Sequence, residues 1–230
     1  MSLGTNLQFL RKMRNGMTQE ELAEKLQVSR QTVSKWELDG TYPEMDKLVE
    51  LCNIFSCSLD ELVREDMNLI DEAYSDVRME TLEGFHYMKY AVASTDPESD
   101  AINHVRGWAQ ELKIAEPEII GWDWPYLSQE QINVYNMHGY EAALVVGDDL
   151  LDDAIQAELL WQDRQKYLAI TIKHPMEAPF RLIPNAYKTV MTHMKINGIK
   201  AKYGPKMISC FEKEYVKDGI DYMDVYIAVE

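Results

Sequence analysis

Apolar positions recur every three or four residues through the first quarter of the chain and then switch to alternation with a period of two. Leu22, Ala23 and Leu26 share one helical face, while Glu21 and Lys25 form an i,i+4 pair on the other. Thr18 followed by Glu21 has capping-box spacing, so a helix starts there. Gln27-Val28-Ser29 breaks it, and Ser29 suits the N-cap of a second helix from Arg30 to about Glu37. With Val28 and Val33 pointing inward, the spacing predicts two short helices joined by a tight turn. An earlier helix is predicted over 6–15, with Leu7, Leu10 and Met13 inward and Asn15-Gly16 as its stop. Pro43 opens a fourth helix, whose apolar stripe reads Met45, Leu48, Val49, Cys52 and Phe55. Ser58 and Glu61 repeat the capping-box spacing and start a fifth. Trp36 is expected to plug the core that these helices share.

Asp66 to Arg78 is acidic, lacks a strong apolar face and reads as a linker. Beyond it the pattern becomes strand, helix, strand, strand, and it does so twice. The first pass is a strand over 86–94, a helix started by Asp96-Pro97 with Ile102, Val105, Ala109 and Leu112 on one face, and strands over 118–124 and 139–146. The second is a strand over 166–173, a helix opened by Pro184 and closed by Asn197-Gly198, and strands over 206–215 and 222–229. On that second helix Ile183, Tyr187, Val190 and Met194 share a face. Both passes have a Lys-Tyr pair in or at the start of the first strand and a proline near the start of the helix, the mark of an internal duplication. The expected fold is an all-α five-helix domain over 1–65, a linker over 66–78, and an α+β domain of two β-α-β-β repeats over 79–230.

Charge sharpens this division. The 230 residues carry a net charge of −16, an unpromising value for a phosphate-binding protein. Residues 1–37, however, hold six Lys or Arg against four Asp or Glu, so any nucleic-acid contact is confined to one small face. The acidic remainder favours cationic partners. No stretch approaches the length of a membrane span, and the opening residues lack the pattern of a secretory signal, so no membrane partner and a cytoplasmic location are expected. Cys52, Cys57 and Cys210 lack metal-ligand spacing and are expected to be reduced.

On the second short helix Arg30, Gln31, Thr32, Ser34 and Lys35 face outward. Arg and Lys suit guanine edges, Gln suits adenine, and Ser or Thr fit either. The segment TQEELAEKLQVSRQTVSKWE, within a match from about Leu7 to Glu65, resembles the helix-turn-helix of the phage-repressor (Cro/C1, or Xre) family of bacterial regulators. That resemblance implies phosphate contact by Gln19, major-groove contact by Arg30, Gln31, Ser34 and Lys35, and backbone proximity for Ser29 and Thr32. It also implies that one basic residue of the first helix, Arg11, Lys12 or Arg14, meets Glu37; the loop spacing leaves the choice among the three open.

The duplicated part, roughly 79–230, resembles the GyrI-like, or multidrug-regulator effector-binding, domain, most clearly in ISCFEKEY followed by YMDVYIAV. The resemblance implies a pocket between the repeats in which a carboxylate, at the position of Glu212, receives a cationic, aromatic effector. Trp122, Trp124 and Tyr140 are expected beside it, with Tyr187 and Glu141 as further candidates. Trp122-Asp123-Trp124-Pro125 departs from the family pattern.

The five histidines are scattered, with no i,i+4 pair and no hydrolase, P-loop or dinucleotide motif, so neither metal nor other cofactor is expected. Asp148-Asp149 with Asp152-Asp153 reads as the acidic start of a helix. The expectation is a ligand-responsive transcription regulator, not an enzyme, that binds double-stranded operator DNA as a homodimer and a small cationic effector. The linker and the fifth helix are candidate dimer surfaces. The alternatives are an acidic domain that grips a basic protein partner, or a GyrI-like small-molecule hydrolase.

Overall fold

The computed structural model describes residues 2–67, 72–147, 157–204 and 207–230. The acidic run at 148–153 lies outside them. The described chain forms two compact units, residues 1–77 with 180–200, and residues 78–179 with 201–230.

The first unit holds α1 (Leu3–Met13), α2 (Gln19–Leu26), α3 (Arg30–Glu37), α4 (Met45–Phe55) and α5 (Leu59–Arg64). Both expected capping boxes form, Thr18 with Glu21 and Ser58 with Glu61. Gln27 ends α2 in the left-handed region at φ 54°, which turns the chain into α3. Leu7, Leu10, Leu22, Leu26, Val33 and Phe55 are fully buried, and Trp36 joins their core. Buried Asn6 is satisfied by the carbonyls of Leu62 (3.0 Å) and Glu65 (2.7 Å) and by the amide of Met67 (3.1 Å), tying α1 to the exit of α5. The stripe of α4 is rotated from the expected one. Leu51 and Phe55 are buried and Leu48 and Cys52 pack partly against the core, while Met45 and Val49 stand in solvent.

A last helix, α8 (Pro179–Asn197), belongs almost wholly to this unit. It starts a turn earlier than Pro184 suggests. A proline near a helix start forfeits only one bond, here to the carbonyl of the solvent-facing Phe180. Ile196 enters the helical core, Asn197 Nδ2 donates to the Met13 carbonyl at 2.9 Å, Arg14 donates to the Ile196 carbonyl, and Lys195 pairs with Glu61 at 3.0 Å.

The second unit is one antiparallel sheet with a helix on one face. Its strands are β1 (Arg78–Leu82), β2 (Phe85–Ser94), β3 (Glu118–Asp123), β4 (His138–Val146), β5 (Leu159–Gln162), β6 (Gln165–Lys173), β7 (Cys210–Lys217) and β8 (Ile220–Ala228). Between them lie α6 (Pro97–Glu111) and a short α7 (Gln129–Asn133). The order is β1-β6-β8-β7-β3-β4-β2-β5. The two β-α-β-β passes are therefore present, β2-α6-β3-β4 and β6-α8-β7-β8. Edge strands β1 and β5, and α7, carried too little apolar patterning to be foreseen.

The duplication is exact enough to be read from strand register. Met88 pairs with Leu144 in the first repeat as Leu168 pairs with Ile227 in the second, and Gly121 pairs with Ala142 as Glu212 pairs with Val225. Gly121 and Glu212 are thus equivalent positions, and they also face each other across the β3–β7 ladder. The local two-fold of the sheet runs through this pair.

Candidate DNA-binding face and ligand cavity

On α3, Arg30, Gln31 and Lys35 are exposed, and Thr32 and Ser34 are half-buried. Ser29 caps the helix by accepting from the Thr32 amide at 3.1 Å, and the two hydroxyls lie 2.9 Å apart. Behind this face Arg11 meets Glu37 through two bonds, 2.6 Å from Nε and 3.0 Å from the terminal guanidine nitrogen, and also donates to the Met17 carbonyl at 2.6 Å. Both partners are buried. Of the three basic residues the sequence left open, Arg11 is therefore the one that meets Glu37. Gln19 donates to the same carboxylate at 2.9 Å. Its side chain is held inside the α1–α3 network here, whereas the sequence reading put it on phosphate.

The second unit contains a cavity of about 150 Å³ on the face of the sheet that carries α6. The helix supplies Glu98, Ile102 and Arg106, four residues apart in series and so stacked along one face. The sheet supplies Ile119 and Gly121 from β3, Tyr140 from β4, Glu212 and Glu214 from β7, and Met223 from β8. Tyr140 donates to Glu212 Oε2 at 3.2 Å. Burial, and then the Glu212 charge, push the Tyr140 phenol well above its usual range, so it stays a donor. A Cβ at Gly121 would fall 2.6 Å from both Cε1 and Cζ of that ring. The missing side chain is what lets Tyr140 lie across β3 and reach Glu212.

Carboxylates crowd the site. Burial raises the Glu98 pKa, and the charges of Glu214, Asp96 and Asp123 raise it further. Glu214 is exposed at the cavity rim; partial desolvation there raises its pKa, with Asp221 adding and Arg106 opposing.

Of the effector residues expected from sequence, the cavity brings together Glu212 and Tyr140. Trp122 and Glu141 point to the opposite face, because side chains alternate along a strand and Gly121 already shares the Glu212 face. There the Trp122 indole donates to Glu141 at 2.7 Å, and Lys89 neutralises Glu141 at 2.8 Å. Trp124 follows β3, its ring edge-on to Tyr126 at 5.9 Å, and does not line the cavity. Tyr187 lies on α8, in the first unit. Glu98, Arg106 and Glu214 were missed. Glu214 was within reach, since it sits two residues from Glu212 and shares its face; Glu98 looked like an ordinary acidic residue in the first turn of a helix.

Residues 7–62 match the Helix-turn-helix family HTH_3. This segment is a helix-turn-helix domain. Among relatives, the chain is 39% identical over 88 residues to the HTH-type transcriptional activator BcrR of Enterococcus faecalis, covering 38% of this chain and 42% of that one. It is 39% identical over 66 residues to the HTH-type transcriptional regulator ImmR of Bacillus subtilis (strain 168), covering 29% and 51%. The chain thus spans about half or less of the length of these relatives. Among solved structures it is similar to EcmrR in a DNA complex, with a TM-score of 0.47 and 12% identity over 90% of this chain and 97% of that one. It is also similar to SAV2435 bound to tetraphenylphosphonium, with a TM-score of 0.40 and 13% identity over 68% and 94%. Among the described residues no helix is long and apolar enough to cross a membrane.

Proposed function

We propose that this chain is a ligand-responsive transcription regulator rather than an enzyme. Residues 1–65 bind operator DNA through Arg30, Gln31, Ser34 and Lys35, with Ser29 and Thr32 near the backbone and Gln19 released to phosphate on binding. The sheet unit, residues 78–179 with 201–230, is the sensing domain and takes a small cation beside Glu212. One helix-turn-helix reads few base pairs, so the functional unit is a homodimer on a two-fold site. The observation that carries the sensing half is the Tyr140–Glu212 hydrogen bond within a walled cavity. A carboxylate fixed in partly apolar surroundings loses hydration that a cation restores. Regulation requires only that the cation bind the DNA-competent and DNA-incompetent states with unequal affinity.

The test is anisotropy of full-length protein on an operator selected from random duplexes, with and without a panel of organic cations. Arg30→Ala with Gln31→Ala should abolish selective DNA binding. Glu212→Gln should leave DNA affinity intact and remove every response to cations. A wild-type protein whose DNA binding ignores all cations while binding none of them would refute the sensing half.

A further inference from the structure

The two repeats differ in their helices. α6 is 15 residues long and α8 is 19. Ala101, Val105 and Ala109 are buried on α6, and Leu182, Ala186 and Val190 are buried at the same spacing on α8. With these positions matched, Glu111 at the end of α6 corresponds to Thr192. Residues 193–197 of α8 are then an added turn, for which α6 has no counterpart.

That added turn is what fastens α8 to the helix-turn-helix. Ile196, 1% exposed, lies in its core. Arg14, which closes α1, donates to the Ile196 carbonyl, and Asn197 Nδ2 donates to the Met13 carbonyl at 2.9 Å. The last four carbonyls of a helix have no partner within it, so the C-termini of α1 and α8 cap each other. Two negative helix ends brought together would repel, and the Arg14 guanidinium at their junction offsets this. Lys195 Nζ meets Glu61 Oε1 at 3.0 Å, on the carboxylate that also accepts from the Ser58 amide at the start of α5.

The anchored stretch of α1 also holds the DNA face from behind. Arg11, one turn before Arg14, binds Glu37 at the end of α3 and the Met17 carbonyl. Gln19, the residue proposed to move to phosphate, bonds the same Glu37. On the other side of the added turn the chain returns quickly to the sheet unit. Only residues 198–200 separate Asn197 from Ala201, which bridges to Val229 beyond the end of β8. Ile199 is itself tied back to the Met194 carbonyl at 3.0 Å, so this connection has little slack to absorb a shift. β8 in turn pairs its Val225 with Glu212.

We infer that α8 is the coupling element of this regulator. Its added turn positions the α1–α2 turn behind the recognition helix, and a cation beside Glu212 alters operator affinity by shifting that turn through β8 and residues 198–200. The inference rests on the sensing role proposed above and names the route of its regulation. Coupling needs an element whose position both sites bias, and α8 is joined to the sheet unit at both ends while packed into the DNA-binding one.

Anisotropy on the selected operator, calorimetry and amide hydrogen exchange test this in the full-length protein, with tetramethylammonium, butylammonium and tetraphenylphosphonium as cation probes. Lys195→Gln with Asn197→Ala cuts two anchors and leaves the Ile196 packing in place. This variant should bind the cations as wild type does, yet the change they cause in operator affinity should shrink from about fivefold or more to under about twofold. The amides of Gly16 and Met17, bonded to the carbonyls of Lys12 and Arg14, should exchange at least about tenfold faster. Lys195→Arg should keep the full response. If the double substitution unfolds the protein, Lys195→Gln alone, which removes one part-exposed pair, carries the same comparison. A full cation response in the variant would overturn the route through α8 and leave the sensing role standing. Unchanged exchange at Gly16 and Met17 would overturn the anchor whatever the cations do. A wild-type operator affinity that responds to no cation would overturn the sensing role and the coupling together.

Discussion

Tyr140 on β4 reaches Glu212 on β7, 3.2 Å away, by lying across Gly121 of the strand between them. The two repeats would otherwise offer equivalent positions at this point, Gly121 in one and Glu212 in the other. Asymmetry at the sheet's own two-fold, one carboxylate and one missing side chain, makes a single site out of a duplicated frame.

Gly121→Ala should therefore damage the site more than the fold. The backbone of Gly121 is not in the left-handed region, so alanine is conformationally allowed and the conflict is with the Tyr140 ring alone. Overpacking of this kind costs about 1–3 kcal/mol, readable by urea denaturation. Titration with the panel of organic cations should show binding lost in Gly121→Ala and partly regained when Tyr140→Met is added, since methionine occupies the equivalent position in the second repeat. Unchanged binding in Gly121→Ala would remove Tyr140 from the site.

The cavity carboxylates should make the free protein less stable as pH rises. Glu98 and Glu214 have folded pKa values above their unfolded ones, so the folded state holds their protons more tightly. Their contribution is fully present below about pH 4.5, the unfolded value, and is lost as pH climbs through the raised folded values. Thermal melts should show Glu98→Gln more stable than wild type at pH 7 and no more stable at pH 4. A gain of the same size at both pH values would mean that charge is not the cause.

Breaking the pair behind the recognition helix should be severe. Glu37→Ala strands the buried Arg11 guanidinium and removes the Gln19 partner, at an expected cost of about 3–5 kcal/mol. Chemical denaturation monitored through Trp36, with the other tryptophans replaced by phenylalanine, checks it. A loss below about 1 kcal/mol would show the pair to be dispensable.

Gln27→Gly should stabilise the same domain. Gln27 is exposed and closes α2 at φ 54°, where a side chain costs about 1–2 kcal/mol and glycine costs none. Glycine's greater freedom in the unfolded chain offsets part of this, so a net gain of up to about 1 kcal/mol is expected in urea titrations. Destabilisation would show that the Gln27 side chain does more than sit on the turn.

The sequence by itself determined the elements that local interactions define. Capping boxes at Thr18 and Ser58, the left-handed stop at Asn15-Gly16 and the inward Val33 and Trp36 act over a turn or two of chain, so the helix-turn-helix was legible residue by residue. The repeated strand–helix–strand–strand order was legible too, because each strand carries its own period. Register and face were decided only by tertiary structure. A strand's two faces differ by a single residue, and which one meets α6 depends on a neighbour nearly a hundred positions away. That alone turned Trp122 and Glu141 away from Glu212 and put Gly121 beside it. It also assembled Glu98, Arg106 and Glu214 around the same space, from segments whose local sequence gave each an ordinary solvent-facing role.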